Sequence, residues 1–227
     1  HSMKDMPTAL PPGLDIPCLL PREDVRDAFI SPRAASLDDL PEGAVVGSAS
    51  LRRQAQILHR RPDLSVITFR GNVQSRLRKL DAGEVDATLL AVAGLNRLGR
   101  ADVATAIMDP DMMLPAVAQG AIGIESRIGD TRINDMLAVI ACAETMTCVT
   151  AERALLAALD GSCRTPIAAL ATLDGGEISL RGRVLRPDGS EVLETTRRGP
   201  AADAEALGRD AGAELKQRAG PGFMVAD

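Results

Sequence analysis

Between residues 44 and 100, short apolar runs alternate with amphipathic stretches. Residues 44–47 form one such run, and 65–69 and 86–92 repeat it; 65–69 is rich in the β-branched residues that suit strands. Between them apolar positions recur at helical spacing: Leu51, Ala55 and Leu58 across 51–61, then Val73, Leu77 and Leu80 across 73–82. Residues 93–99 supply a third helix. This order predicts a parallel sheet with right-handed crossovers. Past residue 143 the pattern changes. Residues 144–159 predict one long helix through Cys148, Ala151, Leu155 and Leu159. Three alternating runs follow at 167–173, 178–185 and 191–196. They are separated by Asp174-Gly175-Gly176 and Pro187-Asp188-Gly189-Ser190, which carry hairpin turn residues. Residues 202–218 read as a closing helix, completing a small α+β unit. Candidate joints lie at 21–25, 115–120 and 139–143.

Composition sharpens this picture. The chain has 227 residues with 45% hydrophobic and only 1% aromatic, so its cores must be aliphatic. The lack of Trp and Tyr argues against platforms for stacking single-stranded bases. No apolar run reaches membrane-spanning length. The four cysteines, Cys18, Cys142, Cys148 and Cys163, form no CxxC pair, and only two His residues accompany them. That excludes a standard zinc pattern and points to free thiols in a cytoplasmic protein. Cys18, Cys142 and Cys148 sit in apolar contexts and read as small core residues.

Charge is unevenly spread. The net charge is −5, yet residues 44–100 hold ten Arg and Lys against four Asp and Glu. Each strand end in this segment runs straight into a helix start. Gly47-Ser48-Ala49-Ser50 leads to Arg52 and Arg53, Arg70-Gly71-Asn72 leads to Arg76, and Ala93-Gly94 leads to Arg97. Ser50 is a good N-cap, and a helix N-terminus beside arginines suits an anion. Ligands of open parallel sheets bind beyond the C-terminal strand ends, so the pattern gathers five arginines at one rim. Any one of them could be a solvated surface charge; together they suit carboxylates or phosphates. A non-enzymatic anion-binding module would use the same pattern. Cys163, in Asp160-Gly161-Ser162-Cys163-Arg164-Thr165-Pro166, sits on a tight loop where a thiol can be a nucleophile or an attachment point. Taken alone, such a cysteine is more often inert, and Lys4-Asp5 is more often a solvated pair.

Taken in order, several segments resemble the porphobilinogen deaminase (hydroxymethylbilane synthase) family. They are His1-Ser2-Met3-Lys4-Asp5, Arg22-Glu23-Asp24 with Arg26-Asp27-Ala28-Phe29, residues 47–54, Arg70-Gly71-Asn72-Val73, residues 89–99, Leu114-Pro115-Ala116-Val117 with Gln119-Gly120, Thr150-Ala151-Glu152-Arg153, and the Cys163 loop. The resemblance implies an α/β protein of three domains, two resembling type II periplasmic binding proteins and a small α+β C-terminal domain with a three-stranded antiparallel sheet. It places domain 1 at 1–20 and 121–138, domain 2 at 26–114 and domain 3 at 143–227. It implies deaminating head-to-tail joining of four porphobilinogen molecules into hydroxymethylbilane, on a dipyrromethane cofactor held by a thioether to Cys163. By the same resemblance Asp5 is catalytic. Lys4, Ser50, Arg52, Arg53 and Arg76 contact the cofactor, and Arg70, Arg76, Arg97 and Gln119 meet substrate. A cytoplasmic monomer is implied, with no metal, nucleic acid or membrane partner. The resemblance also implies a segment ahead of His1. Domain 1 is then incomplete here, with a sheet short of strands and an exposed edge, and this span alone is not expected to be a competent enzyme.

Overall fold

The computed structural model describes residues 1–162 and 165–224. In chain order the strands are β1 (Leu14–Leu19), β2 (Asp27–Ile30), β3 (Val45–Gly47), β4 (Ser65–Ile67), β5 (Ala87–Ala91), β6 (Ala106–Ile107), β7 (Gly123–Arg127), β8 (Ile167–Asp174), β9 (Glu177–Leu185) and β10 (Val192–Pro200). The helices are α1 (Leu51–Arg60), α2 (Val73–Asp81), α3 (Val92–Arg97), α4 (Thr131–Ile140), α5 (Ala143–Ala158) and α6 (Ala204–Ala219). No single helix among the described residues is long and apolar enough to cross a membrane.

These elements gather around three sheets. β1 and β7 pair antiparallel as a two-stranded sheet, with α4 beside it. The central sheet has the order β4-β3-β5-β2-β6, and β8, β9 and β10 form an antiparallel meander. Apolar clusters fill both faces of the central sheet, one around Phe29, Ile57 and Leu89, the other around Leu80, Leu90 and Leu95. The third core is shared: Met3, Leu19 and Val117 pack with Leu155 of α5, Leu180 of β9 and Leu215 of α6. The two-stranded sheet therefore rests on the C-terminal unit. α4 has no buried residue, and Ile128, Met136, Val139 and Ile140 are exposed.

The central sheet is mixed, where the strand–helix alternation predicts a parallel one. Only β4, β3 and β5 run parallel. β2 enters from the two-stranded sheet and pairs antiparallel with both β5 and β6. At four and two residues, β2 and β6 are too short to show a period. The inward face of α1 also differs. Ala55 is buried as expected, but Leu51 and Leu58 are only half-buried, and Arg52, Arg53, Gln56 and Ile57 lie inside. α3 runs Val92–Arg97 rather than 93–99, so Arg97 closes its helix. Cys142 heads α5 half-exposed, unlike the core positions of Cys18 and Cys148.

Two crossovers link the two-stranded and central sheets, residues 20–26 and 108–122. They touch through Leu20 N to the Ile122 carbonyl and Glu23 N to the Gly120 carbonyl, both 3.0 Å. Gly120 has φ +85, and a Cβ there would lie 2.4 Å from the Glu23 carbonyl oxygen. β8 is an edge strand whose outer side lies along the second crossover. Ala169 N donates to the Pro115 carbonyl at 3.2 Å, and Ala171 N to Glu152 Oε1 at 2.8 Å.

Candidate active site

Pairing of Asp27 with Ala91 sets the first residue of β2 opposite the last of β5. Asp27 therefore stands at the rim toward which β3 and β5 point, where α1 begins. Ser50 caps α1, its side chain accepting from Arg53 N. The first turn of α1 turns Arg52 and Arg53 inward, at 3% and 6% exposure, onto the fully buried Asp27. Arg52 Nη2 donates to Asp27 Oδ2 at 2.8 Å, and Arg53 Nη2 to Oδ1 at 2.7 Å. The other Nη atoms reach backbone carbonyls, Arg52 to Leu114 and Arg53 to Leu89. Gln119 Nε2 donates to Asp27 Oδ1 and to the Val25 carbonyl. Burial alone would raise the Asp27 carboxyl, but the two guanidiniums hold it well below the usual carboxylate range.

The network is unfinished. Arg52 Nε, Arg53 Nε and Gln119 Oε1 are buried without a partner, and all three residues line a cavity of about 300 Å³. Lys4, Asp5, Ser50, Arg76, Ser162 and Thr165 line it as well. Met3 packs into the shared core and its N–H donates to Ala121, which fixes the short turn carrying Lys4 and Asp5. Burial and the nearby Arg53 charge lower Lys4 from 10.5 to about 8. Arg76 reaches the cavity from the first turn of α2, its Nε donating to the Gly71 carbonyl at 2.9 Å. Burial and Arg53 lower it too. Lys4, Arg52, Arg53 and Arg76 thus face Asp5, with Asp27 behind, so cations outnumber carboxylates by four to two.

Most of the residues expected from the sequence converge here: Lys4, Asp5, Ser50, Arg52, Arg53, Arg76 and Gln119. Arg70 and Arg97 do not. Both are exposed and outside the cavity lining. Cys163 lies outside the described residues; its loop neighbours Ser162 and Thr165 line the cavity. Asp27, which orders the arginine pair, was not among the expected site residues. Its sequence signals are a carboxylate opening the apolar run Ala28-Phe29-Ile30 and its place in the family-like segment Arg26-Asp27-Ala28-Phe29.

A second buried carboxylate joins the crossovers to the C-terminal unit. Glu152 of α5, with no exposure, accepts from Arg22 Nη1 at 2.7 Å and Nη2 at 3.0 Å. It also accepts from Ala118 N at 2.6 Å and Ala171 N at 2.8 Å. Arg22 Nε donates to the Gln119 carbonyl, tying this bridge to the site.

The family profile described as "Porphobilinogen deaminase, dipyromethane cofactor binding domain" matches residues 1–135. "Porphobilinogen deaminase, C-terminal domain" matches residues 146–217. The porphobilinogen deaminase of Nitrobacter hamburgensis is 60% identical over 225 residues, 99% of this chain and 71% of its own length. That of Paracoccus denitrificans is 59% identical over 224 residues, 99% of this chain and 72% of its own length. Among solved structures, a YaeC-family lipoprotein from Enterococcus faecalis aligns at 15% identity and a TM-score of 0.39, covering 56% of this chain and 62% of that one. With two profiles and close relatives spanning nearly every residue, the chain belongs to the porphobilinogen deaminase family.

Proposed function

We infer that the cationic cavity is the active site of the family's reaction, with Asp5 as its catalytic group and the arginines as a carboxylate cradle. The reaction is the deaminating polymerisation of porphobilinogen to hydroxymethylbilane, a transferase step of tetrapyrrole and heme biosynthesis that uses a dipyrromethane cofactor. The alternative of a non-enzymatic anion-binding module is not favoured at this identity. The observation that carries the site reading is the convergence of seven expected residues on one cavity, bordered by three unpartnered buried polar atoms.

The donor set fits the cofactor. Two pyrroles bring four carboxylates, and the cavity offers Lys4, Arg53, Arg76 and the head of α1 at Ser50. When bound through Cys163, the dipyrromethane supplies the anchored pyrrole to which substrate units are joined. Arg52 and Arg53, fixed by Asp27, orient carboxylates without moving, because their Nη atoms are already committed. Asp5 accepts a hydrogen bond from a pyrrole N–H of porphobilinogen. Its carboxylate stabilises the positive charge left as ammonia departs, and it holds or passes the proton at that nitrogen. Gln119 Oε1 is a further acceptor at the same wall. Arg70 and Arg97, on the exposed surface, meet acetate and propionate groups of units beyond the cavity.

We also propose three domains at 1–20 with 121–138, 26–114 and 143–227, each range holding one of the three sheets. We propose further a cytoplasmic monomer with no nucleic-acid or membrane partner. The three described cysteines are unpaired, in keeping with a reducing compartment.

Intact-mass and peptide-mass measurements on the full-length protein test the site. A two-pyrrole adduct should map to Cys163 and vanish in Cys163→Ser; an adduct on Cys18, Cys142 or Cys148 refutes the attachment. Asp5→Asn should retain the adduct while losing most turnover, and Asp5→Glu should retain part of it. Undiminished turnover in Asp5→Asn removes Asp5 from the mechanism.

A further inference from the structure

The C-terminal sheet grips α1 through contacts that the proposed chemistry does not use. Gln56, 3% exposed on α1, spends its whole amide. Its Oε1 accepts from Leu114 N at 2.9 Å and from Arg183 Nη1 at 2.7 Å. Its Nε2 donates to the Leu114 carbonyl at 3.0 Å. Arg183 lies on β9, the central strand of the C-terminal sheet, and is braced there by Glu194 of β10 through Nε at 2.6 Å. Farther along α1, the β9–β10 turn seats directly on the helix. Gly189 has φ +76, and a Cβ there would fall 2.4 Å from His59 N and 2.7 Å from the Leu58 carbonyl carbon. His59 Nδ1 and the Gly189 carbonyl are 2.9 Å apart.

The Leu114 carbonyl that takes Gln56 Nε2 also takes Arg52 Nη1, at 2.7 Å. A continuous line of hydrogen bonds therefore runs from β9 through Arg183, Gln56 and Leu114 to Arg52. The loop holding Ser162 and Thr165 leads into β8, which is paired with β9 along its length. Arg183 thus lies on the strand paired with β8, into which Thr165 leads, and Thr165 and Arg52 line the same cavity.

We propose that Gln56 and Arg183 are positioning residues for the polymerisation, fixing the spacing between the attachment loop and the arginine cradle. The proposal rests on the site reading above, in which Cys163 anchors the primer and Arg52 serves carboxylates. In growth on an anchored primer, each added unit must meet the same catalytic group. The distance from anchor to cradle then decides which unit stands there. Loosening it impairs later additions more than the first, and lowers kcat more than it raises KM.

The test uses the full-length protein as wild type, Gln56→Leu, Arg183→Met, the double variant and Arg183→Lys. Each is mixed with limiting porphobilinogen, and intact masses count the units carried per chain. In both single variants kcat should fall about tenfold or more, the scale of one lost charge-assisted hydrogen bond, with KM nearly unchanged. Partly extended chains should accumulate on the enzyme. The double variant should be no worse than the worse single, because both break one relay. Arg183→Lys should recover part of the turnover. A wild-type distribution of extended chains with wild-type kcat, in variants that carry the adduct, overturns this proposal alone. So does a loss of turnover fully matched by the fraction of chains lacking the adduct, since that is a structural effect only. A wild type without a pyrrole adduct on Cys163 overturns the site reading and this proposal with it.

Discussion

Two buried carboxylates, 125 positions apart in sequence, organise this molecule in opposite ways. Glu152 is closed: Arg22 and two backbone N–H groups supply four donors, and the pair carries no net charge. Asp27 is open: it binds two arginines and a glutamine, retains a surplus positive charge, and leaves three polar atoms unpartnered at a cavity wall. A satisfied network holds parts together. An unsatisfied one beside a cavity leaves polar atoms for water or a ligand to meet, because orphaned buried polar groups are costly. The difference is the one expected between a scaffold and the proposed site.

The comparison is broken most severely at its closed end. Arg22→Leu strands the Glu152 carboxylate and should cost about 3–5 kcal/mol in denaturant unfolding. A loss below about 1 kcal/mol would show that the bridge does not hold the crossovers. Arg53→Leu should invert the balance. Asp27 keeps Arg52, so stability should fall less than for Arg22→Leu, while turnover or adduct content drops roughly tenfold to a hundredfold. Equal activity with wild type would mean that the open network is scaffold too.

The smallest effect sharpens the electrostatics. With Lys4 at about 8, its charge is present below that pH and lost above it. KM for porphobilinogen should therefore rise above pH 8 by up to about tenfold, and Lys4→Met should flatten that limb. Stability runs the other way. The folded-state value lies below the ordinary 10.5, so the unfolded chain binds more protons between about 8 and 10.5. This group's contribution is therefore complete only above that window, and it is lost as pH falls through 8. An unchanged alkaline limb in Lys4→Met would take Lys4 out of the cradle.

Much of this was legible beforehand. The order of strands and helices over 44–99 and from 143 onward follows from spacing and turn residues; β6, β7 and α4 between them were not foreseen. The clustering of Arg52, Arg53 and Arg76 follows from two strand-to-helix junctions, whereas Arg70 and Arg97 stay exposed outside the cavity lining. Convergence of Lys4 and Asp5 on the same cavity came only through family resemblance, since a Lys-Asp dipeptide carries no distance information. What stayed hidden has physical causes. Arg52 and Arg53 face inward because Asp27 and two carbonyls await them, and apolar periodicity cannot register a polar interior face. Asp27 itself lies on a four-residue strand whose antiparallel pairing depends on where the chain enters the sheet. Glu152 sits in a helix whose other acidic and basic residues are exposed or half-buried, so nothing local distinguishes it.

The edge of β8 carries a consequence for handling the protein in solution. Its outer N–H groups at Ala169 and Ala171 donate to the Pro115 carbonyl and to Glu152, groups that belong to the crossover and to α5. Pulling the crossover away would uncover a strand ready to pair with any other chain in the same condition. Mild denaturant, or a variant such as Arg22→Leu, should therefore produce edge-to-edge oligomers before global unfolding, and their onset should depend on protein concentration.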